Sequence, residues 1–206
     1  MEILKKSIAT ALIIGVSFWA NAQNEATMQK AFSESYKQEA AYKYGEAIAE
    51  LTPFNNNDSY ELNLRLGWLH YLNKNYSQAQ TYYQHAVSLK PYAIEAKLGY
   101  VKALAATENW DKVLQQYEEI LKIDPQNYTA NYWSGVIYYN RKKYETASKI
   151  FEKLINLYPF DYDANHLMAW TCLNMGRIND AKTLFNKALL IKPNDASCLE
   201  GLSKIK

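Results

Sequence analysis

Histidine and cysteine are scarce in this chain, with three of the first and two of the second among 206 residues. His70, His85 and His166 fall at unrelated helical phases. His166 lies three residues from Asp163, but one histidine and one carboxylate are two ligands short of a zinc site. No glycine loop that could cradle a phosphate is present, and no serine sits in a nucleophile elbow. We therefore expect no catalytic residue, no metal and no cofactor. An excess of one charge is also missing: 23 basic and 21 acidic side chains leave +2. That balance gives no reason to expect nucleic acid or an anionic membrane surface as partner. Long apolar runs are absent too. The longest, Ile8 to Trp19, is well short of the ~20 residues a spanning helix needs.

That apolar run has another reading. Lys5 and Lys6 precede it and Ala20-Asn21-Ala22 follows it, which fits a cleavable export leader over residues 1–22 with Gln23 as the mature start. No cysteine follows the run, so a lipid anchor is not expected. The mature protein is expected to be exported, periplasmic or secreted, without a stable membrane span.

What the chain does have is rhythm. It holds only five prolines, yet Pro91, Pro125, Pro159 and Pro193 are spaced 34, 34 and 34 residues apart. A period of this size marks a helical repeat array. The clearest unit runs from Tyr128 to Pro159, with Gly135, Tyr138, Tyr144, Ala147, Phe151 and Leu154 in phase over two helices and a turn. Small residues at Gly67, Gly135 and Ala169 on first helices, and at Ala79, Ala147 and Ala181 on second helices, allow close crossing. Tyr83, Tyr117, Phe151 and Phe185 fill the space toward the next unit. Each proline ends a helix, because it lacks an N–H and its ring clashes with the preceding turn. The units are 58–91, 92–125, 126–159 and 160–193. An atypical helix pair at 23–57 precedes them, and a capping helix at 194–206 follows.

This pattern resembles the tetratricopeptide repeat family, a 34-residue helix-turn-helix, over roughly residues 25 to 205. The resemblance implies an all-α fold: a superhelical array of about five helix pairs plus a C-terminal cap. One departure is visible. The early tryptophan of the family is replaced by Asn63, Lys97, Asn131 and Asn165. An asparagine row of this kind offers either a ladder for a bound peptide backbone, through paired donors and acceptors, or a polar helix surface near a cap.

In such an array the first helices line a concave surface. The resemblance places Phe32, Tyr36, Leu64, Trp68, Tyr71, Leu98, Lys102, Tyr132, Val136, Tyr139, His166 and Trp170 there. Eighteen tyrosines and an aromatic share of 14% exceed what a thin two-helix core needs, which supports an aromatic binding groove. Lys102 is the one basic residue on the strip, so the family's carboxylate-gripping subclass is not expected. The expected function is a non-catalytic scaffold or adaptor of the bacterial envelope that binds a protein or peptide. Two other readings stay open: an accessory subunit of an envelope enzyme complex, and a carbohydrate-binding module that stacks sugars on Trp68 and Trp170. His70 is expected as a satisfied buried imidazole. Cys172 and Cys198 fall about eight residues apart along parallel helices, ~12 Å, too far for a disulfide. They are expected as separate thiols.

The leader predicts a mature chain that begins at Gln23. Intact-mass analysis of the exported fraction checks this, and a full-length or lipidated chain would refute it.

Overall fold

A computed structural model describes residues 25–55 and 58–205. The expected leader and its cleavage site lie outside these residues. Within them the chain is all α, with eleven helices, one 3-10 turn and no strand. Helix α1 covers 25–40. It is followed by α2 (Tyr44–Leu51) and the 3-10 turn Thr52–Phe54. Next come α3 (Tyr60–Leu72), α4 (Tyr76–Leu89), α5 (Ile94–Ala105) and α6 (Trp110–Ile123). Then follow α7 (Tyr128–Asn140), α8 (Tyr144–Leu157), α9 (Tyr162–Asn174), α10 (Ile178–Ile191) and the short α11 (Ala196–Ser203). The chain divides into two compact units, one ending at Ala103 and one starting at Leu104.

Local chemistry sets the helix ends. Ser59, Asn127, Asp161 and Asp195 cap α3, α7, α9 and α11. Their side-chain oxygens accept N–H bonds from Leu62 (3.3 Å), Ala130 (3.1 Å), Ala164 (2.8 Å) and Cys198 (3.0 Å). Each bond satisfies an amide that the helix itself leaves without a partner. The turns inside the helix pairs share one geometry. Lys43, Asn75, Asn109, Lys143 and Arg177 donate their N–H to the carbonyls of Gln38, His70, Leu104, Tyr138 and Cys172, at 2.8 to 3.0 Å. The residues just before these donors are Tyr42, Lys74, Glu108, Lys142 and Gly176, and all have φ between +56° and +75°. This is the left-handed closure of a helix C-terminus. Only Gly176 adopts it without the Cβ penalty of ~1–2 kcal/mol.

In the first unit, Ala31, Ala47, Leu51, Leu62, Leu66 and Leu69 form one buried cluster, and Tyr60, Ala86 and Ala96 form another. In the second unit the core runs through Ala147, Phe151, Leu154, Ala164, Met168, Ala169, Cys172, Ala181, Phe185, Ala188 and Cys198. The small residues expected at the helix crossings are buried. Tyr83 and Phe185 reach beyond their own pair, to a glycine of the following helix. The ring of Tyr83 fills the space beside two glycines, so that a Cβ added at Gly67 would lie 3.0 Å from it and one at Gly99 only 2.2 Å. Phe151 takes the same position against Gly135, at 2.5 Å, and Phe185 against Gly201, at 2.2 Å. Each glycine leaves room for a ring in a gap too narrow for any side chain.

The asparagine row differs from both readings given above. Asn63 and Asn165 are fully buried and Asn131 nearly so. Their Nδ2 atoms donate backwards to the carbonyls of Ser59 (2.7 Å), Asn127 (2.8 Å) and Asp161 (2.6 Å). Asn131 and Asn165 also reach the carbonyls of Pro125 (3.0 Å) and Pro159 (3.2 Å). The row is neither a peptide ladder nor a solvated face. These side chains fasten the first turn of a helix to the turn that precedes it, and a buried amide needs such partners. Cys172 and Cys198 are free and buried, as expected. No helix among the described residues is long and apolar enough to cross a membrane.

Overpacking a filled gap of this kind is destabilising. Ala147→Leu should cost about 1–3 kcal/mol. Gly99→Leu should cost at least about 1 kcal/mol even after the ~0.8 kcal/mol gained by leaving glycine in a helix. Gln84→Ala, on an exposed face, should stay within about 0.5 kcal/mol. Urea melts of the three variants check the packing register, and equal shifts would refute it.

Candidate functional site: an aromatic groove in the first unit

Three helices of the first unit, α1, α3 and α5, border a groove of about 1250 Å³. Phe32, Tyr36 and Glu39 come from α1, Leu64, Arg65 and Trp68 from α3, and Leu98 and Lys102 from α5. Spacings of three, four and seven put Phe32, Tyr36 and Glu39 on one face of α1, Leu64 and Trp68 on one face of α3, and Leu98 and Lys102 on one face of α5, with Arg65 at the edge of the α3 set.

Glu39 organises the wall. Its Oε1 accepts the indole N–H of Trp68 at 2.7 Å, and its Oε2 pairs with the guanidinium of Arg65. Arg65 is 7% exposed and also donates to Ser35 Oγ at 3.3 Å. The Tyr36 ring covers the guanidinium at 3.8 Å and is itself 55% exposed. Arg65 Nε is buried with no acceptor. Trp68 stacks on Tyr71, with ring centroids 5.8 Å apart, and Lys102 Nζ lies 4.9 Å from the indole ring. A cation held over a ring in this way is attracted by the ring quadrupole. At the other wall the Tyr60 hydroxyl donates to Glu95 at 2.6 Å. Burial and that bond push the Tyr60 phenol pKa far above its usual range. Lys90 sits 4.1 Å over the Tyr60 ring and 3.1 Å from Glu61.

The structure thus brings Phe32, Tyr36, Leu64, Trp68 and Lys102 together and sets Tyr71 behind Trp68. One expectation needs correction. Lys102 is not the sole basic residue of the groove, because Arg65 and Lys90 line it as well. Both are matched by carboxylates within the protein, whereas Lys102 has none among the described residues.

Tyr132, Tyr139, His166 and Trp170 belong to the second unit, where they pack beside its core or against one another. Tyr132 stacks on Tyr128 at 5.8 Å, and the Tyr139 hydroxyl accepts from Asn174 at 3.2 Å. The Trp170 N–H is shared between Ser197 Oγ (3.0 Å) and His166 Nε2 (3.1 Å). Phe185 meets the ring edge-on at 5.3 Å, and Lys204 lies 5.0 Å over it. Both tryptophans named for sugar stacking therefore have their N–H engaged and a lysine over the ring. A second pattern spans successive first helices. Tyr60 bonds Glu95 and Tyr128 bonds Asp161 at 2.8 Å, and Asp195 raises the pKa of the Tyr162 phenol, after burial, from the matching position. Sequence spacing carried a signal for it, since each pair lies 33 to 35 residues apart, close to one repeat.

His166, Asp195 and Cys198 place ligand-type atoms within 4.8 Å of one another. Two of the three groups already have protein partners: His166 Nε2 meets Ser197 and Trp170, and the Asp195 carboxylate is engaged. Asp195 receives Lys192 at 2.8 Å and the Cys198 N–H at 3.0 Å. The Lys192 bond leads in holding the Asp195 carboxyl far below the usual range. Burial, then Asp195, push the Cys198 thiol up to about 11. We assign the cluster to capping of α11. His70 corrects another expectation: it is half-buried and stacked on Tyr82 at 5.2 Å, but its Nδ1 has no partner.

Paired helices in tandem, joined by one recurring turn, define a helical-repeat protein. A family model described as tetratricopeptide repeat matches residues 71–134 and 139–205, and the chain belongs to that family. Proteins of this family bind protein partners and are typically non-catalytic scaffolds. A tetratricopeptide repeat protein from Parabacteroides merdae is similar in structure, with 20% identity and a TM-score of 0.75 over 87% of this chain and 72% of that one. MamA from AMB-1 is similar with 16% identity and a TM-score of 0.70, over 85% of this chain and 94% of its own. A further MamA crystal structure has 18% identity and a TM-score of 0.70, over 82% and 94%. No curated protein matches the sequence.

The two half-buried histidines make stability depend on pH. Burial lowers the pKa of both His70 and His166. At His166 the nearby Asp195 and Asp163 oppose this and Lys192 reinforces it. An indole N–H can only donate, so His166 Nε2 must be an acceptor and a protonated ring would set donor against donor. The unfolded chain, with histidine near 6.5, then binds protons before the folded one does. Stability is complete above about pH 6.5 and falls as pH drops toward the lowered folded values. Melting temperature should decline between pH 7.5 and 5.5, and His166→Gln should flatten that slope. A slope unchanged by the substitution would show that His166 does not carry it.

Proposed function

We propose that this protein is a non-catalytic adaptor of the bacterial envelope that holds a segment of a protein partner in the groove of its first unit. The observation that carries this reading is the wall built around Glu39. It fixes Trp68 by its indole N–H and leaves the Tyr36 ring half-open to solvent. Large rings that are already positioned lose few rotamers on binding and dominate binding hot spots. Stacked helical repeats also favour extended partners, since they offer long concave surfaces. The envelope assignment rests on the leader-like run from Lys5 to Ala22. A role as accessory subunit of an envelope enzyme would use the same groove. The sugar-stacking reading is weaker, because a sugar would have to displace Lys102 from Trp68 or Lys204 from Trp170.

Crosslinking in the native cells, followed by mass spectrometry, identifies the partner. Tyr36→Ala and Trp68→Ala should then each weaken its binding by about 2 kcal/mol. Tyr36→Ala should barely move the melting temperature, as the ring is half exposed. Folded variants that bind like the wild type would remove the groove as the site.

A further inference from the structure

Among the described residues lining the groove, two charges have no oppositely charged partner. Arg65 is paired with Glu39 and Lys90 with Glu61, whereas Glu95 has only the neutral Tyr60 hydroxyl, at the wall away from Trp68, and Lys102 is the other. The ammonium of Lys102 has only the Trp68 ring, at 4.9 Å. The ring helps to hold the charge in place, and the side chain is exposed. Of the two further polar groups on that wall, the charge of Glu39 is matched by Arg65, and each of its oxygens holds one bond, from Arg65 or Trp68. Arg65 has one buried N–H, at Nε, without an acceptor. What is left uncompensated near Trp68 is therefore positive and donor-rich. Among the described residues no asparagine or glutamine side chain lines the groove, so none of them is arranged there to read a peptide backbone through paired amides.

We infer that the segment held in this groove carries an acidic side chain whose carboxylate docks on Lys102, with an apolar or aromatic neighbour against Tyr36 and Phe32. The inference rests on the adaptor reading above and names the chemistry of its partner. One ammonium suits one carboxylate, a glutamate or aspartate within the segment. With a single charge pair at an exposed site, the preference is modest and screened by salt. The apolar contacts supply most of the affinity.

The test uses an array of N-acetylated, C-amidated octapeptides, so that neither chain end carries charge. Each peptide has two apolar or aromatic residues flanking a central position, and is made as a glutamate, glutamine and lysine triplet. Wild-type protein should bind glutamate members about fivefold more tightly than their glutamine twins, and lysine members more weakly still. Raising the salt should erase that margin. Lys102→Gln should abolish the difference between glutamate and glutamine while glutamine peptides bind as before. Tyr36→Ala should weaken all three versions together. Equal wild-type affinity across the triplets, with binding still lost in Tyr36→Ala, would overturn the acidic seat and leave the groove standing. Binding that is indifferent to both Tyr36→Ala and Trp68→Ala, or no binding at all, would overturn the groove itself. A glutamate preference that persists in Lys102→Gln would place the charge recognition elsewhere.

Discussion

The structure depends on one steric relation: an aromatic ring from a second helix needs a residue without a side chain beside it. Tyr83 lies between Gly67 and Gly99, Phe151 over Gly135, and Phe185 over Gly201. Dispersion and burial favour filling such gaps, and the ring does so only while the opposite backbone stays bare. In the second unit Phe185 follows the same rule. The glycine of α11 accepts its ring, and this seats that short helix against α10.

Sequence periodicity carried the fold well, because a 34-residue period with small residues at fixed phases has few other physical solutions. The small crossings at Ala79, Ala147 and Ala181 and the bulky residues after them are where the pattern placed them. The hidden features arise where a residue's usual meaning changes with context. Asn63, Asn131 and Asn165 look like surface amides in a sequence, yet they are buried bonds to helix starts. The left-handed residues Tyr42, Lys74, Glu108 and Lys142 gave no composition signal, since only Gly176 among the hairpin turns is the residue that conformation prefers. Backbone bonds hold the other four in place.

The candidate groove was legible in part. Phe32, Tyr36, Leu64, Trp68 and Lys102 are legible, because helical spacing determines which side chains share a face. It could not select Glu39 and Arg65. These residues are 26 positions apart, and their meeting depends on how α1 lies against α3. His70 was misread for a related reason: its phase pointed toward the core, but the face it occupies offers a tyrosine ring and no acceptor.

The contacts of Glu39 with Arg65 and Trp68 join α1 to α3, and the same atoms form the groove wall. Order in α1 and shape in the groove are therefore thermodynamically linked. Fraying of α1 would remove Phe32, Tyr36 and Glu39 together, and the groove would lose one side at once. An occupant touching Tyr36 would in turn tether α1, and its apparent affinity would be discounted by the fraction of molecules in which that helix is undocked. In this sense α1 is a gate held by two things, the burial of Ala31 in the core and the carboxylate of Glu39 at the groove wall.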